Sequence, residues 1–258
     1  LLPVYDKPMI YYPLSTLMLA GLREVLVIST PTDLPRFEQL LGDGSRWGMR
    51  LEYAVQDEPR GIAQALLVAE PHLQGRPCAL VLGDNLFYGQ NLVQQMRQAN
   101  SQKLGATVFS YSVANPQAYG VLEFDANGIV VSVEEKPVQP RSKNALTGLY
   151  FFDEQACKIA RGLTPSARGE LEITDVVRAY MQKNQLDVQR MGRGQAWLDT
   201  GTADTLLDAA NLIQTIERRQ GLKVSCPEEI AWRNGWISSS ELAALAEPLR
   251  NSGYGDYL

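Results

Sequence analysis

Short apolar runs recur along the chain and alternate with segments of helical character. Glu24–Ser29 and Cys78–Leu82 are two of them: each has the length of one strand, and their apolar residues are continuous instead of alternating with polar ones. Strands of this kind are typical of sheets that helices cover on both faces. With 258 residues, the chain can also bury a substantial core. The sequence therefore predicts an α/β fold with a mixed, mostly parallel sheet flanked by helices.

Two regions depart from this alternation. Strand-like runs within Tyr119–Pro137 flank Asn127-Gly128, a turn pair that strongly favours a β-hairpin. From Ala203 onward the pattern is helical. We therefore expect an α/β core over residues 1–220, with a hairpin insertion, and a helical lobe over residues 221–258 packed on that core.

Composition excludes several classes of function. The net charge is -5 and the basic residues form no stripe, which argues against nucleic acid or an acidic membrane surface as a partner. Three widely spaced cysteines fit a reducing cytoplasm, and neither a membrane span nor a signal peptide is visible. The single histidine, His72, lies in a polar segment that we predict to be a surface loop, so histidine-based catalysis is disfavoured.

Two aspartates stand where apolar runs end. Asp84 follows Cys78–Leu82, and Asp199 follows Ala196–Leu198. Ligands of open α/β sheets bind outside the carboxyl ends of the strands, and paired carboxylates suit a hard divalent cation such as Mg²⁺. The alternative at the first position is a simple turn, because Gly83-Asp84-Asn85 are residues that turns prefer.

Four further residues are candidates for ligand contacts. Gln56 ends a strand and Gly61 precedes a helix, so this turn can present hydrogen-bonding groups to a flat base edge, or it can be an ordinary connection. Lys136 and Arg168 each stand beside glutamates, where they can bind a phosphate or form solvated ion pairs.

Six motifs of the chain resemble those of the sugar-phosphate nucleotidylyltransferases and occur in the same order as in that family. The resemblance is closest to the branch of the family that makes dTDP-glucose for dTDP-rhamnose synthesis. The resemblance covers essentially the whole chain and extends into the helical lobe at Gln220–Ile230. The motifs are Leu1–Met9, Leu82–Asn85, Tyr119–Val121, Glu134–Pro137, Gly169–Asp175 and Trp197–Gly201.

The resemblance implies a Rossmann-like nucleotide-diphospho-sugar transferase fold and a reaction between dTTP and glucose 1-phosphate that releases pyrophosphate. It assigns Asp84 and Asp199 to Mg²⁺, and Gln56 and Gly61, together with Asp84, to the nucleotide. Together with Asp84 and Asp199, Lys136 and Arg168 would be the catalytic residues. The implied sugar-phosphate pocket consists of Asn85, Gly120, Glu135, Lys136, Tyr150 and Arg168. Since the attacking phosphate is already anionic, no general base is required.

The resemblance also implies a homotetramer and inhibition by a dTDP-sugar product at a second nucleotide site. Lys223, Glu229 and Ile230 are the positions expected in that site. Helix packing explains these three residues almost as well.

One part of the resembling family's pattern lies upstream of Leu1. This is the glycine-rich loop that holds the triphosphate through backbone N–H groups, together with a phosphate-binding lysine and the first strand. The residues from Leu1 onward cannot replace that loop. Two alternatives to a thymidylyltransferase therefore stay open: a truncated or non-catalytic homologue that binds nucleotide-sugars, and a transferase that uses UTP.

Overall fold

The computed structural model describes residues 2–258 and consists of β-sheets with helices packed on them. No helix within these residues is both long and apolar enough for a bilayer crossing. The strands are β1 Pro3–Val4, β2 Lys7–Pro8, β3 Glu24–Ser29, β4 Arg50–Val55, β5 Cys78–Val81, β6 Asn85–Gly89, β7 Ala106–Ser112, β8 Gly120–Phe124, β9 Val130–Glu135, β10 Asn144–Phe152, β11 Leu186–Arg190 and β12 Gln195–Asp199. The α-helices are α1 Tyr11–Leu19, α2 Leu34–Leu41, α3 Gln64–Leu73, α4 Leu92–Ser101, α5 Ala156–Arg161, α6 Ile173–Gln182, α7 Ala203–Gln220, α8 Pro227–Arg233, α9 Ser239–Ala246 and α10 Gly253–Tyr257.

The central sheet is organised around β10. The strand order is β11-β7-β10-β8-β9, and β5 also pairs with β10. The register between β10 and β7 shifts between Leu146 and Tyr150, on either side of Gly148. A Cβ at Gly148 would lie 2.5 Å from Oδ1 of Asn85, so only glycine fits there. The bulge or close approach predicted at Gly148 is confirmed, and it places the backbone of β10 against the residue that follows Asp84.

The predicted fold class is confirmed, because the sheet is mixed and helices flank it. Parallel pairing is less extensive than the apolar runs indicate. The pairs β3–β4 and β7–β11 are parallel, whereas β10 is antiparallel to β5, β7 and β8. The predicted hairpin β8–β9 is present, and it accounts for the antiparallel pairing. After this hairpin, the chain returns through the middle of the sheet as β10.

An apolar cavity of about 650 Å³ separates β3 from β5, and residues of α1 and α3 complete its walls. Within residues 2–258, β3 pairs only with β4, and β5 pairs only with β10. β5 borders this cavity and is half-buried within residues 2–258.

The loop predicted around His72 is absent, because His72 lies in the last turn of α3. Pro71 also lies inside this helix. His72 pairs there with Glu52 of β4, at 2.6 Å between Nδ1 and Oε2.

The helices of residues 221–258 pack against α1 through a shared apolar cluster. Trp47 is fully buried at its centre, and Leu14, Ile230 and Leu242 belong to the same cluster. The indole Nε1 of Trp47 donates to Oε1 of Glu228 at 3.2 Å. This segment therefore supports α1, which in turn contacts β5 and β6.

A group of four charges around the buried pair Lys7 and Glu217 joins the start of the chain to the end of α7. Lys7 and Glu217 are 3% and 6% exposed, and Nζ of Lys7 lies 2.9 Å from Oε1 of Glu217. Lys223 pairs with the other oxygen of Glu217 at 2.9 Å and with Asp6. Burial alone would lower the pKa of Lys223, but hydrogen bonds to Asp6 and Glu217 raise it to about 12. Two acids and two lysines thus neutralise one another, with Lys7 and Glu217 buried and Asp6 and Lys223 toward the surface.

Replacing Glu217 by leucine is expected to lower the free energy of unfolding by about 3 kcal/mol, because two lysines would then share one carboxylate in a buried site. Urea denaturation followed by circular dichroism measures the change. The matched control is Glu247→Leu, which removes an exposed ion pair with Arg250 and is expected to cost less than about 1 kcal/mol. Equal losses in the two variants would contradict the role assigned to the buried group.

Candidate active site

The pairing of β6 with β12 brings Asp84 and Asp199 together. The two strands are antiparallel, and Asp199 lies opposite Asn85, the residue after Asp84. Thr200 links the two aspartates through the backbone: its backbone N and its Oγ1 donate to the carbonyl oxygen of Asp84 at 3.0 and 2.8 Å. Two aspartates that are far apart in the sequence thus lie side by side where β6 begins and β12 ends, in a two-stranded sheet of their own.

Both carboxylates border the same small space. A Cβ built on Gly201 would lie 2.9 Å from Oδ1 of Asp199 and 4.0 Å from Oδ2 of Asp84. Oδ1 of Asp84 accepts from Asn85, and Oδ1 of Asp199 accepts from the backbone N of Gly201, which leaves one oxygen of each carboxylate unused. Neither aspartate forms an ion pair within residues 2–258.

This donor set fits a hard divalent cation. Two uncompensated carboxylates offer oxygen ligands and negative charge, which Mg²⁺ prefers. No group of three or more His, Cys, Asp and Glu side chains within the described residues can hold a metal ion. Asp84 and Asp199 would therefore provide only part of a coordination shell, and Mg²⁺ commonly completes such a shell with water and substrate phosphates.

A second polar group lies where β8, β9 and the loop before α6 meet. Gly120 lies opposite Glu135 in the β8–β9 pair, and a Cβ at Gly120 would lie 3.4 Å from Oε2 of Glu135. Arg168 reaches three acids: Oε1 of Glu170 at 3.0 Å, of Glu172 at 3.5 Å and of Glu135 at 3.6 Å. Burial, followed by the nearby charge of Glu172, raises the pKa of Glu135. The geometry gathers Gly120, Glu135 and Arg168 in one place, as the resemblance implies.

Lys136 differs from Arg168 in having no acidic partner within residues 2–258. It is exposed, and its φ of 41° is unusual for a residue with a side chain. Its backbone N donates to the carbonyl oxygen of Tyr119 at 3.0 Å, which fixes the end of β9. The structure therefore presents an unpaired ammonium beside the Glu135 and Arg168 group.

Tyr119 connects this polar group with the paired aspartates. Its ring lies edge-on to Trp197 of β12, with 5.0 Å between the ring centroids. Burial, and then the charge of Asp199, raises the pKa of Tyr119. Tyr119 is thus in contact with Lys136 through its backbone and with Trp197, two residues before Asp199, through its ring.

The turn around Gly61 is joined to the loop that contains Arg168. The φ of Gly61 is 103°, and a Cβ there would lie 2.3 Å from the carbonyl oxygen of Leu171. Leu171 donates its backbone N to Arg60 at 2.8 Å, and its carbonyl oxygen accepts from Ala63 at 3.1 Å. Glycine is therefore required by packing as well as by conformation.

Gln56 lies beside this turn. Its Nε2 donates to Oε1 of Gln64 at 2.7 Å, and Gln64 also accepts from the backbone N of Arg60 at 3.1 Å. The amide of Gln56 is therefore held next to Gly61, and its role toward a base stays a prediction.

Asn85 and Tyr150 are buried, unlike Glu135, Lys136 and Arg168 of the predicted pocket. Asn85 is 2% exposed, and its amide oxygen accepts two hydrogen bonds from the protein. Tyr150 is 3% exposed on β10 and stacks on Phe152 at 5.8 Å. Burial raises the pKa of Tyr150, so its hydroxyl is neutral. The structure places both residues behind the open surface of the site.

The three positions predicted for a second nucleotide site lie in different surroundings. Lys223 belongs to the buried charge group, and Ile230 is 7% exposed in the cluster around Trp47. Glu229 pairs with Arg233 at 2.7 Å and accepts from the hydroxyl of Tyr257 at 2.7 Å. Packing and ion pairing account for all three, and the second site stays a prediction.

Thr200 and Trp197 are site residues that the sequence interpretation did not single out. Both belong to the motif Trp197–Gly201, from which we selected only Asp199. Trp197 and Thr200 stand within two residues of Asp199, one on each side, and this proximity was the signal in the sequence. Residues that flank a ligand-binding carboxylate commonly orient it.

Comparison with known proteins places the chain in a family. The sequence profile described as nucleotidyl transferase matches residues 1–216. The chain belongs to the nucleotidyl transferase family. Nucleotidyl transferases generally use a divalent metal, which agrees with the uncompensated pair Asp84 and Asp199.

The relatives of this nucleotidyl transferase include enzymes of similar length. Glucose-1-phosphate thymidylyltransferase from Xanthomonas campestris is 55% identical over 258 residues, which is all of this chain and 88% of that protein. The enzyme of the same name from Mycobacterium tuberculosis is 56% identical over all of this chain and 89% of its own. The predicted family resemblance is confirmed.

Solved structures agree with the fold of this nucleotidyl transferase. A Bacillus anthracis protein described as a glucose-1-phosphate thymidylyltransferase, in complex with sucrose, superimposes with a TM-score of 0.75 at 34% identity, covering 82% of this chain and 85% of that one. UDP-glucose pyrophosphorylase with bound UDP-glucose gives a TM-score of 0.70 at 22% identity, covering 83% and 89%. The second match supports the fold alone.

Proposed function

We propose that this nucleotidyl transferase moves a thymidylyl group from dTTP to glucose 1-phosphate, forming dTDP-glucose and pyrophosphate. The relatives that match all 258 residues have this activity in their names. The geometric observation that supports it best is the pair Asp84 and Asp199, which lacks a protein cation. An anionic, metal-bound nucleotide is the kind of substrate such a pair accepts.

The residues of the chain bind and neutralise; they do not transfer protons. Mg²⁺ held by Asp84 and Asp199 would supply neutralisation of the nucleotide phosphates. The unpaired ammonium of Lys136 and the guanidinium of Arg168 bind the phosphate of glucose 1-phosphate. An oxygen of that phosphate attacks the α-phosphorus of dTTP, a new P–O bond forms, and the bond to the β-phosphate breaks with loss of pyrophosphate. Because the nucleophile is already an anion, orientation and charge neutralisation suffice.

Other residues would orient the two substrates. Gln56 and Gly61 face the base, while Gly120 and Glu135 face sugar hydroxyl groups. The carboxylate of Glu135 would accept hydrogen bonds from these hydroxyl groups. Gly120 lies next to this carboxylate, and a side chain at position 120 would contact it. Asn85 and Tyr150 are buried, and they would pack beneath the residues that face the sugar.

The enzyme incubated with dTTP, glucose 1-phosphate and Mg²⁺ is expected to release pyrophosphate and dTDP-glucose in equal amounts. Coupled pyrophosphate detection and anion-exchange chromatography measure the two products. EDTA is expected to stop the reaction and added Mg²⁺ to restore it. Equal rates with UTP in place of dTTP would favour the UTP alternative. Absence of turnover together with calorimetric binding of dTDP-glucose would favour the non-catalytic alternative.

Homotetramer formation, a cytoplasmic location and inhibition by a dTDP-sugar stay predictions from the family resemblance.

A further inference from the structure

The amide of Asn85 has a fixed orientation. Its Oδ1 accepts from Nε1 of Trp197 at 2.6 Å and from the backbone N of Gly148 at 3.1 Å. Both partners are obligatory donors, so the amide oxygen must face them and the amide nitrogen must face the other way. At 2% exposure, Asn85 has no solvent to offer an alternative partner.

The amide nitrogen of Asn85 is directed at Asp84. Nδ2 donates to Oδ1 of Asp84 at 2.7 Å. Because Thr200 holds the carbonyl oxygen of Asp84, this residue is fixed at both its backbone and its carboxylate. Oδ2 of Asp84 is left facing the space that it shares with Asp199.

Trp197 is itself held rigidly. It is 8% exposed, and the rings of Tyr119 and Tyr111 lie edge-on against it at 5.0 and 6.2 Å. Its strand is paired residue by residue with β6, where Trp197 lies opposite Phe87. The indole N–H therefore has one direction, toward Asn85. The chain of contacts runs from Trp197 through Asn85 to Asp84.

We propose that Trp197 is a positioning residue for the metal-binding carboxylate: through the buried amide of Asn85 it orients Asp84 toward the space shared with Asp199. This inference rests on the proposed function for the identity of the bound group, and it gives Asn85 a role beyond contact with the sugar. Without the indole N–H, only the backbone N of Gly148 holds the amide oxygen of Asn85, so the amide is less firmly oriented and its Nδ2 positions Oδ1 of Asp84 less well.

The test uses Trp197→Phe, which keeps an aromatic ring and removes the N–H. Mn²⁺ serves as the probe, and its binding to the protein without substrates is measured by electron paramagnetic resonance. The Kd for Mn²⁺ is expected to rise about tenfold, the lower end of what loss of a partner behind a metal ligand produces. In steady-state assays the Mg²⁺ concentration for half-maximal rate is expected to rise by a similar factor, with the KM for glucose 1-phosphate changed less than twofold.

The matched control is Trp47→Phe, which removes a buried indole N–H that donates to Glu228, in a different apolar cluster. Its Kd for Mn²⁺ is expected to equal that of the wild type. Thermal denaturation reports whether each variant is folded. If Trp197→Phe does not fold, Asn85→Leu removes the same relay with a side chain of similar size, and the same rise in the Mn²⁺ Kd is expected.

A folded variant of either kind with the wild-type Kd for Mn²⁺ would overturn the proposal. An unchanged Mg²⁺ concentration for half-maximal rate, combined with a raised KM for glucose 1-phosphate, would also overturn the proposal, because Trp197 would then act by lining the sugar pocket. Mn²⁺ binding does not depend on turnover, so a wild-type protein that forms no dTDP-glucose refutes the proposed function separately.

Discussion

Replacing Asp199 by asparagine is expected to lower kcat/KM about 1,000-fold, the scale of losing one preorganised electrostatic contact in an active site. The substitution keeps the size of the side chain and its acceptor for the backbone N of Gly201. It removes one of two negative charges that no basic side chain within the described residues neutralises. Steady-state kinetics over a wide Mg²⁺ range measures the loss, and high Mg²⁺ is expected to recover only part of the rate.

Asp204→Asn is the matched control for Asp199→Asn. Asp204 is exposed in the first turn of α7, five residues further along the chain, so the same charge is lost without touching the site. Its kcat/KM is expected to stay within twofold of the wild type, and the only cost is less than about 1 kcal/mol of helix stability. A loss of equal size in both variants would show that Asp199 acts through folding or net charge and not through a bound cation.

Replacing Lys136 by methionine is expected to lower kcat/KM for glucose 1-phosphate about 100-fold, because a charge-assisted contact to the phosphate disappears. Arg168 is expected to compensate only in part, since three glutamates also engage its guanidinium. The loss is expected mainly in the KM for glucose 1-phosphate, with a smaller change in the KM for dTTP. Initial-rate measurements with each substrate varied in turn separate the two.

The control for this second substitution is Lys143→Met, seven residues further along the chain but outside the predicted site. Lys143 is exposed, and its change removes an identical charge. We expect unchanged kinetics for it. If Lys136→Met raised the KM for both substrates equally, the ammonium would be acting on the nucleotide, and its assignment to the sugar phosphate would be wrong.

Local patterns sufficed to predict the elements with clear boundaries. The helix α7 is an example, since Thr202 caps its start and Gly221 takes the left-handed conformation after its end. The hairpin β8–β9 has its own turn pair. In such cases the residues that determine a helix or hairpin lie within it or immediately beside it in the sequence.

The pairing that builds the site could not be predicted in this way. β6 and β12 are five residues each, and their sequences Asn85–Gly89 and Gln195–Asp199 mix polar and apolar residues without a clear period. Their partnership is a contact between segments more than 100 residues apart, which depends on tertiary packing. Asp84 and Asp199 were candidates from their chemistry, whereas their adjacency required the structure.

The state of each charged side chain was equally out of reach of the sequence. Lys136 and Arg168 both stand beside glutamates, and both allowed an ion-pair interpretation. In the structure Arg168 has three acidic partners, whereas Lys136 has none within the described residues. The contacts of each cation with glutamates depend on the tertiary structure and not on its neighbours in the sequence.

The hydrogen bonds of Leu171 join the loop that contains Arg168 to the turn around Gly61. With Arg168 on the sugar phosphate and Gly61 at the base, as proposed, a ligand that draws Arg168 inward is expected to move Leu171 and with it the backbone of Arg60 and Ala63. We therefore expect occupancy of the two sides to be thermodynamically linked, and linkage is reciprocal: the factor by which one substrate changes the affinity of the other is the same in both directions.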